Sequence, residues 1–170
     1  MIIPLAMKTY RKFIEDIQES SLSRIKSKSD KGGIATMSAS RGDKSAKENR
    51  ARAKQLDKDI RGRGLGGATK VTGSYVEKGD DGKEKKVKER SHVVTSGKMG
   101  KRKFKKTVKA LGKKYGQDSV LTQTKKTGTL HRTRKGGLDK KGENVGKFQP
   151  QGKNPYGQSQ IKGKTFAYNK

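Results

Sequence analysis

Ile34-Ala-Thr-Met-Ser-Ala39 and, six residues on, Ser45-Ala-Lys-Glu48 set a short strand ahead of a long helix. The first stretch alternates apolar and polar positions as a half-buried strand does. The second is a capping box: the Ser45 hydroxyl accepts from the Glu48 backbone N–H, and the Glu48 carboxylate reaches back to Ser45. On the helix it opens, Ala46, Asn49, Ala53, Leu56 and Ile60 mark one face, with Lys and Arg elsewhere. Gly62 and Gly64 supply the left-handed stop.

Downstream, Thr69 to Glu77 is rich in strand formers. Val71, Gly73, Tyr75 and Glu77 share one face; Thr72, Ser74 and Val76 share the other. Asp80-Asp81-Gly82 is a turn signal, Lys83 to Lys88 reads as an exposed tip, and Glu89 to Thr95 as the returning strand. Gly97 to Gly100 leads into a second helix, whose Phe104, Val108, Leu111 and Tyr115 form a stripe at helical spacing that Gly116 ends. Ser119 to Thr122 is the next strand.

The order strand, helix, strands, helix, strand predicts an α+β fold: a small antiparallel or mixed sheet of about four to five strands with two helices packed on it. N-terminal to it, Tyr10, Phe13, Ile14 and Ile17 give residues 8–19 the face of an amphipathic helix. Residues 20–32 read as a Ser/Lys-rich linker, the α+β domain as 33–123, and 124–170 as a basic, Gly-rich, largely irregular arm. Lys164 to Tyr168 is expected as an edge strand at its end.

Charge divides the chain differently. Residues 1–19 balance Lys8, Arg11 and Lys12 against Glu15, Asp16 and Glu19, so the remainder carries the whole net charge of +28. Ile, Leu, Val and Phe make up about a sixth of the chain, close to the composition at which disorder is the default. Cysteine is absent, which excludes disulfides and thiolate metal sites. The apolar run Met1 to Met7 contains Pro4 and is too short for a membrane span or a signal-peptide core.

A charge this large attracts polyanions, nucleic acid first among them, because each phosphate neutralised releases counterions. A solubility surface needs a net charge of only about 2–8 in a small domain. Zinc-finger, basic-zipper and stacking-aromatic motifs are missing, so phosphate contact without base reading is expected. The candidate contacts are Lys101, Arg102, Lys103, Lys105 and Lys106 at the start of the second helix, where positive charge opposes the helix dipole. Lys125, Lys126, Arg132, Arg134 and Lys135 in the arm complete the set.

Other chemistry is weaker. Glu48, Asn49, Glu89, Tyr115 and Gln117 are polar groups that a domain of this shape can gather around a metal or a water. Structural roles in capping and turn bonding are the preferred reading of them. His92 beside Val93 reads as a sheet or ion-paired histidine, and His131 in the arm as a phosphate contact. Gly62 to Gly67 follows a helix and precedes a strand, the reverse of a phosphate cradle.

Two resemblances bear on function. Met7-Lys8-Thr9-Tyr10-Arg11-Lys12-Phe13-Ile14 closely resembles the capsid-targeting leader of internal head proteins of large contractile-tailed phages, although six residues precede Met7 here. Ile17-Gln18-Glu19-Ser20 fits the rule by which the prohead protease of such phages cuts after Glu. The resemblance implies packaging in the prohead, loss of the leader and ejection with the genome. Separately, Glu48-Asn49-Arg50, Gly73-Ser-Tyr75, Glu89 and Tyr115-Gly-Gln117-Asp-Ser-Val120 are similar to a small α+β domain family of unknown function, over residues 33–122. That similarity implies a fold and no activity.

The expectation is therefore a phage internal virion protein that is not an enzyme and needs no cofactor or metal. It would bind DNA non-specifically, meet the prohead scaffold and protease, and act on a host protein after ejection, without contact with a membrane. Its places would be the virion interior and then the host cytoplasm. The alternatives are a nuclease-like DNA-processing enzyme, or a capsid or neck component with DNA-facing basic arms.

Overall fold

The computed structural model describes residues 22–78, 81–134, 142–150, 152, 157–161 and 164–169. The leader, its processing site, and Lys135 of the arm lie outside these residues. Residues 22–31 form helix α1. There follow β1 (Ile34–Ser38), α2 (Ala46–Gly62), β2 (Gly66–Lys78), β3 (Glu84–Thr95), α3 (Lys101–Lys114) and β4 (Ser119–Gln123). The chain ends in β5 (Gly128–Arg132), β6 (Glu143–Pro150), β7 (Gly157–Ile161) and β8 (Lys164–Asn169).

The eight strands close into an antiparallel barrel in the order β1-β3-β2-β7-β8-β6-β5-β4, with β4 pairing back onto β1. This corrects the expected four- to five-stranded sheet with a largely irregular arm. Within residues 33–123 the order strand, helix, two strands, helix, strand and the Ser45–Glu48 capping box are as anticipated, but β3 begins at Glu84, inside the stretch Lys83 to Lys88 expected as an exposed tip. The arm supplies the other four strands. Closure gives each strand two neighbours, so backbone pairing carries much of the sheet and few apolar side chains are needed. The sparse apolar residues of the arm sit where an interior requires them: Phe148, Ile161 and Phe166 are buried.

One bulge explains why the alternation was hard to see. The β5–β6 register shifts between Gly128 and Thr129, and Gly146 has φ +91°. The Asn144 side-chain Oδ1 accepts from the Gly146 N–H at 2.8 Å and from the Thr127 hydroxyl at 2.9 Å, holding the bend. The extra residue changes the phase of the strand, so Val145 and Phe148, three apart, both serve the interior. Lys164–Asn169 is a strand, as read, but it lies between β6 and β7 and has no free edge.

Two cores result, one on each side of the barrel wall. Outside, Ala35 and Met37 of β1, Val94 of β3 and Val120 of β4 meet Leu56 and Ile60 of α2 and Phe104, Val108 and Leu111 of α3. Inside, Ile34, Val71, Val93, Phe148, Ile161 and Phe166 meet Leu22 and Ile25 of α1. Residues 22–31 are therefore a plug across one end of the barrel, where a linker was expected. Leu22, Ile25 and Ser29, at i, i+3 and i+7, are its buried face. The Ser29 hydroxyl donates to the Thr124 carbonyl at 3.4 Å, tying the plug to the β4–β5 turn. Among the described residues nothing plugs the opposite end of the barrel, where the loops after β1 and α3 lie.

Candidate active site

The open end holds a cavity of about 1640 Å³. That exceeds the roughly 300–1,000 Å³ usual for small-molecule sites, so it has room for a ligand and water. The same alternation that builds the apolar floor places Thr36 and Ser38 of β1, Glu89 and Ser91 of β3, and Gly73 of β2 along its wall. Leu121, Leu130, Val145, Ser159 and Tyr168 add to the wall, Glu143 stands at the start of β6, and Lys85, Lys86, Lys88 and Arg90 of β3 with Arg41, Lys44 and Arg50 bring positive charge to the lining.

Aromatic packing fixes Tyr168. Its ring meets Phe148 edge-on at 5.9 Å between centroids, and Phe148 in turn packs on Phe166 at 5.1 Å. Burial pushes the Tyr168 phenol up, with a hydrogen bond to Thr36 acting the other way. At neutral pH it is therefore a protonated hydroxyl, suited to hydrogen bonding and not to proton abstraction. Gly73 keeps the wall open: a Cβ there would lie 3.3 Å from the Ser91 hydroxyl and 3.7 Å from Glu89 Cγ.

The rim is stitched from two loops. The Arg41 N–H donates to the Asn49 side-chain carbonyl at 2.9 Å, and the Asn49 amide returns a bond to the Arg41 carbonyl at 3.0 Å. The Gln117 amide donates to the Ser40 carbonyl at 2.9 Å, and the Ser38 hydroxyl donates to the Arg90 carbonyl at 2.8 Å. Arg52 Nε donates to the Ala39 carbonyl at 2.7 Å, and the same guanidinium lies over the Tyr115 ring at 5.6 Å. The loops after β1 and after α3 thus form one frame, anchored on α2.

Five polar residues were candidates from the sequence, and the fold separates them. Glu89 is in the cavity wall, and Asn49 and Gln117 are in its rim. Glu48 caps α2, its carboxylate accepting from the Ser45 N–H at 2.8 Å. Tyr115 is buried in the outer core, where its hydroxyl donates to Asp59 at 2.7 Å. Hydrogen bonds from Lys114 and Tyr115 hold the Asp59 carboxyl below its usual range, while burial and then Asp59 raise the Tyr115 phenol. Tyr168, Thr36, Ser91 and Glu143 were not foreseen. Glu143 falls in the segment read as irregular, while Tyr168, in the expected edge strand, and Thr36 and Ser91 show themselves only once the strands have an inside.

Both histidines are structural. His92, 1% exposed, has Nε2 2.9 Å from Asp57 Oδ1, beneath α2. Burial, the largest effect, lowers its pKa, and Asp57 opposes the shift. His131, read as a phosphate contact, is instead 3% exposed and its Nε2 is 2.8 Å from the Thr122 hydroxyl. Burial, then Lys105 and Lys109, push it down to about 4. Among the described residues no group of three or more His, Asp or Glu is placed to hold a metal.

The basic residues singled out from the sequence do not form one patch. Lys101, Arg102, Lys103, Lys105 and Lys106 lie exposed on α3. Lys125 and Lys126 are at the plugged end, in the β4–β5 turn. Arg132 and Arg134 are at the open end, and Arg134 pairs with Asp118 at 3.6 Å.

No curated protein matches the chain. The model of the S-adenosylmethionine lyase family does match it, over residues 35–169. This overturns the expectation that the chain is not an enzyme. The matched span takes in all but the first residue of β1, every later strand, and the whole wall and rim of the cavity, and it covers well over half of the sequence. The chain belongs to the S-adenosylmethionine lyase family.

Proposed function

We propose that the open end of the barrel binds S-adenosylmethionine and breaks a carbon–sulfur bond of its sulfonium without adding water. One observation carries the reading: the family-matched span encloses this cavity, and its lining brings two carboxylates, Glu89 and Glu143, and the Tyr168 ring together beside basic side chains that include Lys85, Lys86, Lys88 and Arg90. Carboxylates and aromatic rings are the groups that favour an organic cation.

The chemistry asks little of the protein beyond placement. Sulfur departs as a neutral thioether and keeps the electron pair of the broken bond. The carbon it leaves takes a new pair in one of two ways. Either the substrate's own α-carboxylate attacks Cγ and closes a five-membered lactone, or Cβ loses a proton and an alkene forms. The first route unites opposite charges, so it is favoured to the extent that the bound substrate displaces water from the cavity. Glu89 and Tyr168 hold the sulfonium end, and the hydroxyls of Thr36, Ser38 and Ser91 orient the amino-acid end. On the second route Glu89 is the base.

Product analysis in ¹⁸O-water tests this. Methylthioadenosine should form, and its partner fragment should carry no ¹⁸O when first released. Incorporation of ¹⁸O at release would mean a hydrolase, and no thioether product at stoichiometric protein would overturn the assignment.

A second reading concerns delivery: the chain travels in a phage head behind a leader removed after Glu19. It is supported by the resemblance over Met7 to Ser20 and by the position of the plug. A cut after Glu19 leaves residues 22–31 and the barrel whole. Intact mass of the protein from purified particles should begin at Ser20, and a full-length chain there would sink the reading.

A further inference from the structure

Cleavage of a small sulfonium does not account for a net charge of +28. We infer that the solvent face of α3 is a binding surface for the phosphate backbone of double-stranded DNA. Arg102, Lys105, Lys106, Lys109 and Lys113 surround a shallow depression on this helix, and the one other residue lining it is Ala110. No acidic residue lies in the first turn of α3, and no side chain caps it. Among the described residues none of these five cations is in an ion pair, whereas Lys114, on the flank, pairs with Asp59 at 2.6 Å.

Three features point to a long anion. The stripe from Arg102 to Lys113 extends about 16 Å along the helix axis at 1.5 Å per residue. Lys105, Lys109 and Lys113 recur about every 6 Å along the helix, an evenly spaced row of cations for a regularly charged backbone. The cations stand on a rigid support, because Phe104, Val108 and Leu111 on the opposite face are buried in the outer core. The contact inferred is with the backbone, whose charge every sequence shares. His131 lies beneath this face and its pKa is lowered in part by Lys105 and Lys109, a sign that their fields converge there.

The test is fluorescence anisotropy of a labelled 20-base-pair duplex with the full chain, across a salt series. Five phosphate contacts give a slope of log affinity on log salt of about −4.5. The double variant Lys105→Glu, Lys109→Glu should bind at least about 30-fold more weakly near physiological salt and flatten the slope by about 2. A control, Lys47→Glu, Lys54→Glu on the exposed face of α2, lowers the net charge equally and should lose less than about 3-fold. Circular dichroism melting checks that both variants fold, so the result stands apart from whether the cavity cleaves S-adenosylmethionine. Equal losses in the two variants would mean diffuse charge and overturn the assignment to α3. Vesicles of anionic lipid bound as tightly as the duplex, with the same dependence on α3, would overturn the assignment to DNA.

Discussion

Gly112 sits where α3 comes closest to the barrel. A Cβ there would lie 2.5 Å from Val120 Cγ1 and 3.0 Å from Thr133 Cγ2. Glycine costs an exposed helix about 1 kcal/mol relative to alanine, yet here the close approach decides. Gly112→Ala should destabilise the fold by about 1–3 kcal/mol through overpacking, as read from chemical denaturation. Gly73 raises the same question at the cavity. Its Cβ would press on the Ser91 hydroxyl at 3.3 Å, a contact that a small shift relieves. Gly73→Ala should therefore fold normally and raise KM for S-adenosylmethionine several-fold; an unchanged KM would place the ligand elsewhere. Glycines such as these were visible as letters in the sequence, but the neighbours that make them necessary come from β3, β4 and the residue after β5. Single-residue meaning was legible where the partners are local, as in Ser45 and Glu48, and hidden where they are not.

Elements divide in the same way. The strand at β1, the hairpin of β2 and β3, α2, α3 and β4 could be read because two helices bury one face of that half of the barrel. Their apolar residues are dense enough to show a period. The strands β5 to β8 have solvent on their outer face, glycine within, and a bulge that breaks the alternation, so they read as an arm. The plug was missed for a different reason. Residues 22–31 bury only Leu22, Ile25 and Ser29, too thin a stripe to stand out among serines and lysines. Ile25, 2% exposed, is its centre. Ile25→Ala should cost about 2–4 kcal/mol in urea denaturation, far more than a side chain in a linker would. A loss under about 0.5 kcal/mol would mean that the plug contributes nothing to the barrel.

For the whole molecule, charge and burial combine in a dependence on pH. His131 has its pKa lowered to about 4 in the fold, against about 6.5 in an unfolded chain. Between those values the unfolded chain binds the extra proton, so stability is complete above about pH 6.5 and falls as the pH drops toward 4. The loss through this group is about 2–3 kcal/mol, and His92, lowered for the same reason, adds to it. His131→Gln, which keeps a polar group near Thr122, should flatten the decline measured by denaturation from pH 7 to 4.5. The barrel joins the two proposed surfaces: a cavity lined by Glu89, Glu143 and Tyr168 together with lysines and arginines, proposed to take S-adenosylmethionine, and an outer helix whose lysines are proposed to take DNA. The claim on which the account turns is the first. It is tested most directly by mass-spectrometric assay of S-adenosylmethionine with the full chain and with Glu89→Gln, a variant expected to melt as the parent does. The account predicts methylthioadenosine from the parent and at least about a 100-fold lower rate from the variant. Unconsumed S-adenosylmethionine with the parent, or equal rates from the two proteins, would contradict it.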